Sequence, residues 1–188
     1  MIISEKLRST NRAEYILYMW QVEDLLRAYN FDVERLTKEY ISQFKLSDEE
    51  KQKMAQWYAD LSQMMLSEGL RTKGHLQIIK NTLSELEELH NKLLQSEKFP
   101  YYRQMYYKVL PYIVELRSKT GTQKGSGVEQ NESTELETLF NALYGTLLLR
   151  LQHKEISAQT TQATGDISTF LGQLSDYYFK DKQKPIEF

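Results

Sequence analysis

The chain has 188 residues and a formal net charge of −2 at pH 7, so no net basic field would draw it to nucleic acid. It contains no cysteine, which excludes disulfides, thiolate catalysis and cysteine-based metal sites. No apolar run approaches the roughly 20 residues that cross a bilayer, and the N-terminal residues lack the apolar core of a signal peptide. We therefore expect a cytoplasmic protein that binds neither nucleic acid nor membranes.

The first half of the chain is predicted to form four helices, because its apolar residues recur at steps of three and four. Thr10 or Asn11 is suited to cap the first helix, and Asn30 to end it. A shorter second helix covers about 33–44. The S-x-x-E pattern of a capping box, which begins at Ser47, marks the start of the third helix.

The fourth helix covers about 75–95 and has the most regular apolar stripe in the chain. Its members are Leu76, Ile79, Leu83, Leu86 and Leu93. His90 occupies a position that the same stripe assigns to the core. Gly69 and Gly74 precede this helix and bracket a short basic turn, which we expect to be solvated.

A tyrosine-rich helix over 99–117 is the fifth element and the one around which we expect the chain to be organised. Pro100 is suited to its first turn. Pro111 lies inside the pattern and predicts a kink or a short break. Its tyrosines are Tyr101, Tyr102, Tyr106, Tyr107 and Tyr112. Five tyrosines cannot all share one helical face, so some of them must leave the core.

A flexible connection is predicted at about 119–132, which contains three glycines and no large aromatic residue. Ser133 or Thr134 is then suited to cap a sixth helix, and Ser157 a seventh. We expect a single all-helical domain over 1–188, with a five-helix part before the connection and a helical pair after it. Helices of similar length joined by short turns favour an all-α antiparallel bundle of six or seven helices.

The sharpest candidate for chemistry is Glu87-x-x-His90, because a carboxylate and an imidazole three residues apart on a helix point the same way. Di-iron helical bundles use this spacing twice, but no acidic residue precedes either of the other two histidines, His75 and His153, by three positions. A mononuclear metal site at His90 and Glu87 stays open. The alternative is a core histidine bonded to Glu87, to a backbone carbonyl or to a tyrosine, so no cofactor is expected.

The tyrosines suggest a binding surface, because tyrosine is rigid, amphipathic and enriched at protein interfaces. We expect this surface near Tyr101, Tyr107 and Tyr112. The opposing interpretation is that these rings fill the gaps between helices. The first functional hypothesis is a non-enzymatic protein that acts through protein–protein interaction or as a homo-oligomer. The alternative is a ligand- or metal-binding helical bundle with a site near His90 and Glu87.

The C-terminal part of the chain is similar in sequence to a known family. The run LFNALYGTLLLRLQHKEIS, followed by a Thr- and Ala-rich helix that ends in LSDYYF, resembles an uncharacterised bacterial family of small all-helical proteins, a domain of unknown function. The overall length and the tyrosine-rich helix are also similar. The resemblance implies an all-helical cytoplasmic protein and supplies no activity, cofactor or catalytic residue.

Overall fold

A computed structural model describes residues 2–121 and 133–188. Within these ranges all regular structure is helical, with eight α-helices and no strand. The α-helices are α1 (Ile2–Thr10), α2 (Arg12–Ala28), α3 (Val33–Glu39), α4 (Asp48–Ser67), α5 (Gln77–Gln95), α6 (Pro100–Gly121), α7 (Glu135–Leu151) and α8 (Ala158–Gln183). A single 3₁₀ turn, Ile41–Gln43, follows α3. The all-α class is confirmed, and the antiparallel bundle arrangement stays a prediction.

The predicted count of six or seven helices is wrong, because α1 was not foreseen. Its nine residues are too few to be stable alone in water, and it packs against α2. Asn11 separates the two helices and serves both of them. Its N–H donates to the carbonyl of Leu7 at 2.7 Å, while its side chain accepts from the N–H of Glu14 at 3.1 Å. Asn11 therefore caps α2 and also connects α1 to α2.

Four helices begin at the capping residues that the sequence predicts. Asn11, Ser47, Thr134 and Ser157 each accept a hydrogen bond from the backbone N–H three residues later. The capping box at Ser47 is complete, since the carboxylate of Glu50 also accepts from the N–H of Ser47 at 2.9 Å. These contacts satisfy N–H groups that have no partner inside the helix.

The chain divides into two compact units, Met1–Thr82 and Leu83–Phe188. The boundary falls inside α5. The connection predicted at about 119–132 overlaps the end of α6 at Gly121, and its residues 122–132 lie outside the described ranges. The prediction of a single domain with a five-helix part and a helical pair stays a prediction.

In the first unit, α2 supplies more buried apolar residues than any other helix. Its buried apolar residues are Ala13, Tyr15, Ile16, Met19, Trp20, Val22 and Leu26. Gly74 has φ +90°, a left-handed conformation that costs a residue with a side chain 1–2 kcal/mol or so. A Cβ at this position would also lie 3.1 Å from Cδ2 of Leu70. The turn before α5 therefore depends on glycine.

In the second unit, α6, α7 and α8 pack against one another. Tyr102, Val109 and Ile113 form the buried stripe of α6. The helix continues through Pro111, so of the two predicted alternatives the break is wrong and the kink stays a prediction. Pro111 lies on the exposed side of α6. Water can therefore hydrate the carbonyl of Tyr107, which loses its helical donor there.

Candidate functional site

His90 lies in the core of the second unit, as its position in the stripe predicts. The residue is 4% exposed, and its Nδ1 is hydrogen-bonded to the hydroxyl of Tyr102 at 2.7 Å. The rings of Tyr102, Tyr106 and Phe170 lie 5.3 to 5.8 Å from the imidazole, between centroids. Burial lowers the pKa of His90 to about 4. The imidazole is therefore neutral at pH 7.

Glu87 does not share the environment of His90. Its carboxylate is half-buried and accepts a hydrogen bond from the hydroxyl of Thr134, the residue that caps α7. The nearby Glu135 accepts from the hydroxyl of Tyr106 at 2.8 Å. Within residues 2–121 and 133–188, no group of three or more histidine, aspartate and glutamate side chains is arranged to hold a metal ion. Glu87 thus joins α5 to α7, whereas His90 packs among aromatic rings.

The three tyrosines of the predicted surface have different environments. Tyr101 is 60% exposed and Tyr107 is 63% exposed. Tyr112 is only half-exposed, and its hydroxyl donates to Oδ2 of Asp166 on α8 at 3.1 Å. Two of the three side chains therefore project from α6, and the third helps to join α6 to α8.

The exposed side of α6 also carries apolar residues that the sequence did not assign to a binding surface. Val114 is 62% exposed, and Pro111 is exposed as well. Together with Tyr107 they follow the spacing i, i+4, i+7, so they lie on one side of the helix. We call these three residues, Tyr107, Pro111 and Val114, the α6 face. The spacing of the buried apolar residues predicts the core side of α6 only. It does not indicate that the opposite side is apolar too.

A groove of about 340 Å³ lies between α6 and α8. Its lining residues are Tyr101, Gln104, Met105, Lys108, Asp166 and Thr169. One wall is fixed by Asp166, which is bonded to Nζ of Lys108 at 2.7 Å and to Tyr112. The hydrogen bond from Lys108 holds the pKa of the Asp166 carboxyl below its usual value. Gln104 lies one turn before Tyr107, so the groove adjoins the α6 face.

A buried carboxylate in the first unit was missed altogether. Glu23 on α2 is completely buried. Its Oε2 lies 2.6 Å from Nδ1 of His75, and its Oε1 accepts from the N–H of Leu76 at 2.9 Å. His75 also stacks on Trp20, with 4.2 Å between ring centroids. From α2, Arg27 donates to the carbonyls of Leu70 and Gly74. These contacts fix the turn that leads into α5.

The fold and these sites define an all-helical protein with an apolar face on the exposed side of α6. Within the described ranges, no helix combines the length and the apolar composition that a membrane span requires. The chain belongs to the family described as "domain of unknown function (DUF4924)", which matches residues 1–185, so the resemblance noted from the sequence is confirmed. Comparison with curated proteins and with solved structures gave no match.

Proposed function

We propose that this protein is non-enzymatic and self-associates through the α6 face. The observation that carries the proposal is the exposure of Tyr107 and Val114, which are 63% and 62% exposed on one side of a long helix. Burying a valine side chain is worth about 1.5–3 kcal/mol relative to leaving it in water. Large aromatic residues contribute most of the binding energy in many interfaces. The α6 face therefore gains stability when a partner covers it.

The charges beside the α6 face favour a second copy of this chain as the partner. Lys108 lies three residues before Pro111, and Glu115 lies four residues after it. In an antiparallel two-fold pairing of two α6 helices centred near Pro111, Lys108 of each copy comes opposite Glu115 of the other. Lys108 is paired with Asp166 and Glu115 with Lys119. Their side chains are still 63% and 49% exposed, so each can add a second partner across the interface. A two-fold interface needs this kind of self-complementary surface.

The adjoining groove extends the contact area. Tyr101 and Met105 lie along it, and Lys108 and Asp166 form its polar wall. A side chain from the second copy can enter this groove while the two α6 faces pack. Tyr112 then acts indirectly, because its bond to Asp166 fixes the wall that Lys108 also contacts.

The test is the molar mass in solution, measured by light scattering during size-exclusion chromatography over a range of concentrations. We expect a dimer for the wild-type chain and a monomer for Val114→Glu, which places a charge within the α6 face. The matched control is Leu151→Glu on α7, because Leu151 is also 62% exposed but lies outside the α6 face. A wild-type monomer at every concentration would refute the proposal, as would dissociation by Leu151→Glu alone.

The alternative, a ligand- or metal-binding site near His90 and Glu87, has less support. The hydroxyl of Tyr102 engages Nδ1 of His90, and three aromatic rings pack around the imidazole. Glu87 bonds Thr134. Native mass spectrometry of gently purified protein tests this alternative, because a retained metal or small molecule would add to the mass of the chain.

The proposal includes the cytoplasmic location expected from the sequence. Fractionation of cells, followed by detection of the chain with an antibody, tests it. Recovery with the membrane or with the exported proteins would contradict this part of the proposal without affecting self-association.

A further inference from the structure

The first unit contains a cleft that none of the features described above uses. It has a volume of about 260 Å³ and lies among α1, α2, α4 and the start of α5. Its apolar and aromatic lining consists of Tyr15, Met19, Trp57, Leu61, Met64 and Ile78. Sites for drug-sized ligands occupy roughly 300–1,000 Å³, so this cleft suits a smaller molecule.

Part of the apolar lining is open to solvent. Ile78 is 42% exposed, and Trp57 and Met64 are half-exposed. Met19 and Leu61, by contrast, are at most 5% exposed and form the floor. A ligand with an apolar body would cover the open side chains while it rests on this floor. Removal of this apolar surface from water favours binding.

The polar residues in and beside the cleft carry both signs of charge, since Arg12 also lies close enough to Tyr15 of the lining to act on it electrostatically. Glu5 and Asp60 supply two carboxylates, and Arg8 supplies one guanidinium. Asp60 accepts a hydrogen bond from the side-chain amide of Gln56 at 2.8 Å. Because an amide is neutral, this bond orients the carboxylate and leaves its charge in place. On the α4 side of the cleft the carboxylate of Asp60 is the charged group beside Trp57, and it favours a positively charged group there.

Trp57 and Asp60 lie one helical turn apart on the same side of α4, since they are three residues apart. A cation that approaches Asp60 thus comes close to the indole of Trp57. The face of a tryptophan ring attracts cations more strongly than the face of a tyrosine or phenylalanine ring. The carboxylate and the indole favour the same charge.

We propose that this cleft binds a small organic cation, in which an ammonium group is attached to an apolar body. The ammonium group lies between Asp60 and Trp57, and the apolar body lies over Met19, Leu61 and Met64. This site is in the first unit and uses no residue of the α6 face. The inference consequently stands or falls independently of self-association.

The test uses three small molecules with closely similar apolar bodies: 2-phenylethylamine, 2-phenylethanol and 3-phenylpropionate. They are cationic, neutral and anionic at pH 7. The readout is the pair of indole N–H signals in a ¹⁵N-correlation spectrum of the full chain, which has two tryptophans. We expect the amine to shift the signal of Trp57. The signal of Trp20 should stay in place, because Trp20 is 2% exposed and stacked on His75.

Two substitutions at the rim test the role of charge. Asp60→Asn keeps the shape of the side chain and its bond to Gln56 and should weaken amine binding about two- to five-fold, the range of an exposed charge pair. Arg8→Gln should strengthen it. Asp176→Asn on α8 is the matched control, because Asp176 is exposed and remote in sequence from the cleft residues. Thermal unfolding of each variant checks that it is folded.

Each result of these titrations either supports or overturns the inference. Binding of the amine in preference to the alcohol and the carboxylate, with a loss in Asp60→Asn, supports the inference. Equal shifts with amine and alcohol would show an apolar cleft that does not recognise charge and would overturn it. A preference for the carboxylate, or no shift of the Trp57 signal with any of the three compounds, would overturn it as well.

Discussion

At the scale of single residues, His90 shows how burial alone determines a charge state. Its imidazole is surrounded by the rings of Tyr102, Tyr106 and Phe170, so protonation would place a cation in an apolar environment. The first cause of its lowered pKa is this desolvation, and the negative charge of Glu135 offsets only part of it. A neutral histidine with one engaged nitrogen is a polar member of the core.

The depressed pKa of His90 predicts that the second unit loses stability in acid. In the unfolded chain the imidazole titrates near 6.5, and in the folded chain at about 4. The unfolded state therefore binds the proton first, and the free energy of unfolding falls as the pH drops from about 6.5 to about 4. One pKa unit corresponds to about 1.4 kcal/mol, so the loss is on the order of 3 kcal/mol.

Urea unfolding of the wild-type chain and of His90→Gln, measured at several values between pH 7.5 and pH 4, isolates this contribution because carboxylates titrate equally in both proteins. We expect the difference in unfolding free energy between the two proteins to shrink as the pH falls. Parallel pH profiles would show that His90 is not held neutral in the folded state.

At the scale of elements, Glu23 connects α2 to the start of α5. The carboxylate is completely buried and satisfies both the N–H of Leu76 and the imidazole of His75. Replacement by alanine would leave the N–H of Leu76 without its partner. Removing one member of a buried hydrogen-bonded group costs about 1–3 kcal/mol, and more where charge is involved.

We therefore expect Glu23→Ala to lower the free energy of unfolding by about 2–4 kcal/mol, as measured by urea denaturation. Glu23→Gln should lower it by less, because an amide can still accept from Leu76 and donate to His75. Glu14→Ala is the control, since Glu14 is an exposed residue of the same helix, and it should change stability by no more than about 0.5 kcal/mol. Equal losses in the alanine and glutamine variants would contradict the predicted role of these two bonds.

Replacement of Pro111 in α6 is expected to stabilise the protein, in contrast to replacement of Glu23. Proline in a helix interior is about 3 kcal/mol less favourable than alanine, yet α6 continues through it. Pro111→Ala should therefore raise the free energy of unfolding by about 1–3 kcal/mol, somewhat reduced because proline also restricts the unfolded chain. Pro100→Ala is the matched control, because Pro100 is the first residue of α6, where proline fits.

The measurement is best made in the Val114→Glu background, so that self-association does not contribute to the unfolding free energy. A stabilising effect at position 111 and none at position 100 is the expected result. Destabilisation by Pro111→Ala would indicate that the ring makes contacts that the helix needs.

At the scale of the whole molecule, the features that could be predicted from the sequence are those that depend on neighbouring residues along the chain. The helical class follows from the period of the apolar residues, and Asn11, Ser47, Thr134 and Ser157 cap their helices through contacts three residues away. Signals of this kind are local and do not require knowledge of the fold.

Contacts between distant residues could not be predicted in the same way. Glu23 and His75 are 52 residues apart in sequence, and their pairing depends on how α2 meets the turn before α5. Glu87 and His90 lie one turn apart, yet Thr134 and Tyr102 from other helices decide what each of them bonds. Glu87 and His90 therefore have different hydrogen-bond partners. Tyr101 and Tyr107 are exposed, and the binding surface expected near them and Tyr112 stays a prediction.

Self-association through the α6 face predicts that thermal stability depends on protein concentration. If only the folded chain dimerises, mass action raises the melting temperature as the concentration increases. For a chain of this size, a tenfold increase should raise it by about 1–3 °C. Differential scanning fluorimetry or calorimetry over two decades of concentration measures the slope. Val114→Glu should abolish the slope and Leu151→Glu should keep it. A flat wild-type profile would mean that the α6 face stays open to solvent up to the highest concentration tested.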